Sequence, residues 1–335
     1  MHFLKKLFCA VLALSLLLCL SACGSSHSGD DAAKKITFVL DWTPNTNHTG
    51  LYVAVEKGWF AESGLDVEIV QPPEGGAELL VGSGKAQFGV SFQDYMAPAL
   101  VGNSTLPITA VAAVIQHNTS GIVSRAGEGI HTPKGLEGKQ YASWDLPVEI
   151  ETMRAVMTAD GGDFDKVKRI PSTVTDEVSA LKSRSVDAIW IFYAWAGIAC
   201  KKAGLDIDYF AFTDIEPVFD YYTPVIIANN DFLKNQPETA KAFLSALTKG
   251  YEYAIDHPVE AADILMKAAP ELKSNSELVY ASQEYLADRY QADAAHWGVF
   301  DADRWNRFYN WLNENKLVEA AIPENTGFTN DYLPK

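Results

Sequence analysis

From Ile36 onward, short apolar runs alternate with stretches whose apolar residues recur every three or four positions. Ile36-Thr37-Phe38-Val39-Leu40 is a β-prone run, and Leu51, Val55 and Phe60 after it keep helical spacing. Asp66-Val67-Glu68-Ile69-Val70 alternates with the period of two that a half-buried strand requires. Residues 75–85 then predict a helix through Ala77, Leu80 and Val81, and 88–92 another strand. The rhythm restarts in the middle of the chain. Strands are expected over 139–144, 167–171, 188–192 and 209–212, with helices over 148–159, 176–183 and 194–203 between them. One further strand, 224–228, precedes a tail that is nearly all helix, over 231–234, 237–256, 259–268, 276–290 and 301–315, several opened by Asp, Ser or Pro. Trp297, Trp305 and Trp311 in that tail are expected as core fillers, since aromatic bulk dominates cores.

Strands that alternate with helices imply parallel βαβ units and an α/β fold. The restart implies two lobes, each a sheet flanked by helices, with the second inserted into the first. The expected division is 36–120 with 223–335 for lobe 1 and 121–222 for lobe 2, with crossings near 119–123 and 220–223. A length of 335 residues suits two lobes, because single cores stop growing near ~250–300 residues. Two crossings make a hinge, and the cleft between lobes is a preferred place for a small-molecule site.

The first residues place this body in the cell. Lys5 and Lys6 precede an apolar run from Leu7 to Leu20, which ends in Leu20-Ser21-Ala22-Cys23-Gly24. A basic start, a short apolar stretch and small residues before a cut describe a signal peptide over 1–22 rather than a span of ~20 residues. The segment ending at Cys23 resembles a bacterial lipobox, so Cys23 is expected to be acylated, and 23–35 reads as a flexible tether to the extracytoplasmic face of the membrane. Of the four cysteines, Cys9 and Cys19 leave with the signal and Cys23 carries lipid, so Cys200 is left without a disulfide partner. The net charge of −16 repels phosphate backbones and excludes nucleic acid as the expected partner.

Several chemistries fail on their spacing. Gly82-Ser83-Gly84-Lys85-Ala86 invites a phosphate-loop reading, but Leu79 sits where the first glycine belongs and Ala86 replaces the magnesium-binding Ser/Thr. A helix-ending glycine and a turn explain it better. His48, His117, His131, His257 and His296 are scattered without metal spacing. There is no nucleophile elbow and no dinucleotide fingerprint. No cofactor, metal or catalytic residue is expected.

Polar and aromatic groups instead cluster just after strands, at the edge where α/β folds bind ligands. They are Asp41, Trp42, Asn45 and His48 after the first strand, and Gln93, Asp94 and Tyr95 after the third. The second lobe offers Trp144, Glu149, Tyr193 and Trp195, and the second crossing Tyr221 and Tyr222. Aromatic faces with a few carboxylates and amides suit a flat heterocycle that carries amino groups.

At these residues the chain resembles a group of periplasmic-type binding proteins, the family that joins bacterial thiamine-pyrimidine-precursor binding lipoproteins with the fungal pyrimidine synthase of thiamine biosynthesis. The resemblance is carried by Leu40 to Tyr52, Ala54 to Phe60, Val81 to Ala86 and Ile226 to Phe232, with Asp41–His48 the most specific segment. It implies a type II periplasmic-binding-protein fold and a receptor that feeds the permease and ATPase subunits of an ABC importer. The implied ligand is a formylated aminopyrimidine or hydroxymethyl-aminopyrimidine. Trp42 would cap one ring face, Asp41 and Asn45 line the first lobe, and Glu149 accept from an amino group. Tyr193, Trp195, Tyr221 and Tyr222 would complete an aromatic wall. The fungal branch resembles a pyridoxal-phosphate protein, yet Ser91 stands where its lysine would fall and Tyr95 where its sacrificial histidine would fall, and 218–222 lacks its cysteines. Without a lysine amine the Schiff base does not form. Riboflavin is the alternative ligand, while sulfonates and nitrate, which ask for cationic or amide donors, rank lower for a cleft that is aromatic and acidic.

Overall fold

The computed structural model describes residues 33–335 other than residue 173. The expected signal peptide, the acylated Cys23 and most of the tether lie outside those residues. No helix among the described residues is long and apolar enough to cross a membrane.

The strands run in chain order as β1 (Lys34–Val39), β2 (Leu65–Val70), β3 (Phe88–Ser91), β4 (Ile108–Ala113), β5 (Ser120–Arg125), β6 (Gln140–Ser143), β7 (Lys168–Pro171), β8 (Ala188–Phe192), β9 (Ile207–Ala211) and β10 (Val225–Asn229). The helices of the first part are α1 (Thr49–Glu56), α2 (Trp59–Glu62), α3 (Gly76–Gly82), α4 (Gln93–Leu100), α5 (Pro147–Ala159), α6 (Glu177–Lys182) and α7 (Ile198–Lys202). The tail holds α8 (Asn230–Asn235), α9 (Pro237–Asp256), α10 (Pro258–Ala268), α11 (Ser276–Tyr290) and α12 (Ala302–Glu314). One sheet has the order β2-β1-β3-β10-β4 and the other β7-β6-β8-β5-β9. The chain leaves the first sheet after β4, builds the second from β5 to β9, and returns as β10.

Each sheet buries both faces, so two apolar clusters flank each one. In the first lobe, Phe243 of α9 stacks at 4.1 Å on Phe88 of β3 and at 4.9 Å on Phe60. Helix α9 crosses α1 at two glycines: a Cβ on Gly250 would lie 2.0 Å from the Gly50 carbonyl oxygen. Trp297 and Trp305 are buried as expected of core fillers, and the half-buried Trp311 packs edge-on against Phe219.

Three differences from the sequence expectations have local causes. The sheets are mixed, because β10 runs antiparallel to β3 and β4, and β5 antiparallel to β8 and β9. The helix expected through Phe60 breaks at Gly58, whose φ of 77° ends α1 and starts α2. The helix expected from 194 opens as a π-turn, Tyr193–Gly197, a wide coil that joins β8 to α7.

The two crossings are tied to each other. The Asn118 backbone N–H donates to Asp220 Oδ1 at 3.0 Å and its side-chain amide to the Phe219 carbonyl at 2.8 Å. His117 Nδ1 pairs with Asp220 Oδ2 at 2.7 Å, and that bond holds the imidazole above its ordinary pKa. Helix α11 reaches both lobes, since Ser282 donates to the Ala194 carbonyl of the π-turn and receives the Thr46 hydroxyl from the first lobe at 2.6 Å.

Candidate functional site

The ends of β1, β3, β6 and β8 meet around a cavity of about 420 Å³ between the two sheets. That volume falls within the usual range for small-molecule sites, ~300–1,000 Å³. Of the residues expected from sequence, the structure brings Asp41, Trp42, Asn45, Asp94, Trp144, Trp195 and Tyr221 onto its wall. Trp42, Trp144 and Tyr95 are 50%, 42% and 54% exposed there, unlike the rings of the core. Large apolar rings left in water at one place mark a surface meant to be covered.

The Asp41–His48 segment is fixed from behind. Asn45 accepts the Asn47 N–H at 2.9 Å and so caps a single 3₁₀ turn, Thr46–His48. The Asn45 backbone N–H points at His48 Nδ1 (3.2 Å), which leaves the ring proton on Nε2, donated to Asp41 Oδ1 at 2.6 Å. Tyr290 donates to the Thr46 carbonyl and Tyr251 to that of Asn47. Tyr251 in turn stacks on Trp297 at 4.1 Å, so the core of the tail holds the loop that carries Trp42.

Five expected residues lie behind the wall, each engaged elsewhere. His48 is buried under Asp41. Gln93 clamps α4 to the second crossing: its side-chain carbonyl accepts from the Tyr222 N–H and its amide donates to the Trp305 carbonyl, both at 2.9 Å. Tyr222 is buried with its hydroxyl accepting from the Asp301 N–H. Tyr193 faces away from the cavity, packed between Tyr209 at 4.8 Å and Tyr285 at 5.3 Å. Glu149 is only 2% exposed, and its carboxylate already accepts from the Tyr141 hydroxyl (2.6 Å), the Ser143 hydroxyl and the backbone N–H groups of Trp144 and Leu146. That carboxylate shapes the loop that presents Trp144.

Other wall residues were not anticipated as site residues. Phe92 and Phe192, at the ends of β3 and β8, stack across the cleft at 6.2 Å. Trp190 backs Trp144 at 5.8 Å, and Glu177 enters from the start of α6. Periodicity places Trp190 and Phe192 in a strand and gives no sign of which face opens on a cleft; Glu177 reads as an ordinary first-turn acid.

The wall's polar atoms are unevenly satisfied. Asp94 Oδ1, Trp190 Nε1 and Thr223 Oγ1 are buried without a hydrogen-bond partner. Burial, reinforced by nearby Glu78, pushes the Asp94 carboxyl up to about 7 against the pull of its own helix-start N–H groups. Burial also raises Glu177, and raises Tyr221 well above its ordinary value. The cavity lining holds three acids and no lysine or arginine. It can take a neutral or electron-poor ring between aromatic faces and accept hydrogen bonds from its amino groups.

Two mixed sheets joined by two crossings, with the cavity at their strand ends, define the two-lobed type II periplasmic-binding-protein fold. The aliphatic sulphonate binding protein SsuA of Escherichia coli superposes with a TM-score of 0.67 at 13% identity, over 86% of this chain and 90% of that one. A family model described as NMT1/THI5 like matches residues 45–261, and the chain belongs to that family. It is similar to the formylaminopyrimidine-binding protein of Halalkalibacterium halodurans, 28% identical over 97% of this chain and 98% of that protein. It is also similar to a 4-amino-5-hydroxymethyl-2-methylpyrimidine phosphate synthase of Saccharomyces cerevisiae, 26% identical over 89% of this chain and 88% of that one.

Proposed function

We propose that this protein is the extracytoplasmic substrate-binding component of an ABC importer, anchored by lipid on Cys23, and that it binds an aminopyrimidine precursor of thiamine and hands it to the permease. The observation that carries the reading is the cavity itself: exposed Trp42, Trp144 and Tyr95 around Asp41, Asp94 and Glu177, with no cationic side chain in the lining. Such a wall stacks on a heteroaromatic ring and accepts from its amines, and its three acids with no cation disfavour a sulfonate. The likeness to a formylaminopyrimidine-binding protein along nearly the whole chain supports the same ligand class.

The synthase relatives raise an enzymatic reading, which the residues present do not favour. A pyridoxal-phosphate reaction needs a lysine amine, the cavity lining has none, and Ser91 is buried with its hydroxyl donated to Glu78. The aromatic faces of the lining leave one second ligand, riboflavin, whose flat isoalloxazine ring would stack on the same side chains.

Thermal melting of the full chain with 4-amino-5-hydroxymethyl-2-methylpyrimidine, its formylamino counterpart, riboflavin, taurine and nitrate tests the assignment. A ligand at a hundredfold its dissociation constant adds ~2.7 kcal/mol of stability, a rise of several degrees. An increase with the aminopyrimidines alone is expected. A rise with riboflavin alone transfers the assignment, and turnover of any bound pyrimidine, seen by mass spectrometry, overturns the receptor role.

A further inference from the structure

We infer that Asp94 is the specificity residue of this cavity and reads the ring N–C–NH₂ edge of an aminoheterocycle as a carboxylic acid, its O–H donated to the ring nitrogen and its carbonyl oxygen accepting from the amino group. The inference rests on the aminopyrimidine reading and adds which residue selects the amino group, and in which protonation state.

The wall's three acids differ in what already holds them. Asp41 Oδ1 already accepts from the His48 ring at 2.6 Å. Glu177 lies at the first position of a six-residue helix, at the far end of the lining, where a neighbouring groove also reaches it. Asp94 projects from the second residue of α4 between Phe92 and Tyr95, and its Oδ1 is buried with no partner. The titratable groups facing it are Glu78 from α3, Tyr95 on its own helix, Tyr221 at the second crossing and Tyr309 from α12. None of them is a cation. Ionised, Oδ1 would be desolvated, without a partner and close to another acid, a cost that outweighs the pull of the Asp94 and Tyr95 backbone N–H groups on the carboxylate and that protonation relieves. That burial, with Glu78 nearby, pushes the carboxyl up to about 7.

Protonation also changes what the group can recognise. A carboxylate only accepts, whereas a carboxylic acid offers one donor and one acceptor side by side. An unprotonated pyrimidine nitrogen next to an exocyclic amine offers the reverse pair. The two therefore meet in two hydrogen bonds with no net charge brought into the cavity. A ring without the amine leaves one of those bonds unmade, and a buried site built for a hydrogen bond discriminates strongly against a ligand that lacks it.

Calorimetry on the full chain with 4-amino-5-hydroxymethyl-2-methylpyrimidine and its desamino analogue, from pH 7 to pH 9, decides the matter. The parent is expected to lose affinity for the amino ligand as the carboxyl ionises, approaching tenfold per pH unit well above 7. Asp94→Asn presents an N–H and a C=O at every pH, so it should bind the amino ligand with a flat profile over that range. Asp94→Ala should bind the amino ligand at least tenfold more weakly and lose distinctly less toward the analogue, which forfeits only the bond to its ring nitrogen. Asp94→Ala with parent affinity for the amino ligand, or equal pH profiles for parent and Asp94→Asn, overturns the role while leaving the receptor reading intact. A parent that binds neither pyrimidine overturns both.

Discussion

Glu149 illustrates what a single residue's type does and does not reveal. An acid one turn after Trp144, near a strand end, looks from sequence like an acceptor for a ligand amine. In the fold its two oxygens take four donors, three of them within the 143–146 loop, and the carboxylate therefore acts on the ligand only through the position of Trp144. Glu149→Gln places an amide N–H₂ against donors, and hydrogen bonds to charged groups are worth ~1.5–3 kcal/mol. The variant should unfold at lower denaturant by about that amount. It should also weaken amino and desamino pyrimidines by the same factor, since what it loosens is the stacking surface. Denaturation and calorimetry on one preparation separate this from an amine-reading role, which would weaken the amino ligand alone. Asp41, Trp42 and Asn45 were legible because a polar and aromatic cluster directly after a strand has few structural uses. Glu149, Gln93 and Tyr222 carried the same signal; the partners of Gln93 and Tyr222 come from residues far along the chain, and those of Glu149 from a local turn whose geometry composition does not display.

Elements were easiest to read where one face meets water. Helix α9 was delimited from its spacing alone, and α5, α10 and α11 within a residue or so, because their apolar stripes are clear. β4 and β5 escaped notice: Ile108–Ala113 and Ser120–Arg125 are buried along almost their whole length, so no alternation marks them, and β5 reads as small and polar. The mixed second sheet follows from this, since β5 runs antiparallel to both its neighbours, whereas the first is mixed because the expected strand β10 returns antiparallel to β3 and β4. Helix packing carries its own constraint at Gly50 and Gly250. A methyl group at 250 would sit 2.0 Å from the Gly50 carbonyl oxygen, and one at 50 would strike the Tyr251 ring at 2.4 Å. Neither backbone can yield without moving α1, which follows directly from the Trp42 loop. Gly250→Ala should thus cost more than the 1–3 kcal/mol typical of core overpacking and lower ligand affinity as well. Chemical denaturation and a titration read both effects; a variant with parent stability would mean that the helices separate freely.

For the whole molecule, binding depends on the cleft's walls belonging to different lobes. Trp42, Asp94 and Tyr95 stand on the first sheet's side, and Trp144, Trp190 and Phe192 on the second. A ligand that touches both stabilises whichever arrangement brings them closest, and its differential affinity is the whole driving force for closure. The two crossings, tied to each other through Asn118 and His117 on one and Phe219 and Asp220 on the other, are the axis expected for that closure. The rings that remain 42–54% exposed supply the surface that closure would remove from water. Helix α11 bonds to both sides, since Ser282 binds Thr46 in one lobe and Ala194 in the other. Saturating aminopyrimidine should therefore reduce the radius of gyration in solution scattering and blue-shift tryptophan emission, as Trp42 and Trp144 leave water together. Phe192→Ala removes the ring that meets Phe92 across the mouth, and should weaken binding while preserving the contraction. Tight binding with an unchanged radius and an emission shift alone would mean a cleft already closed, with the ligand entering past side chains rather than between moving lobes.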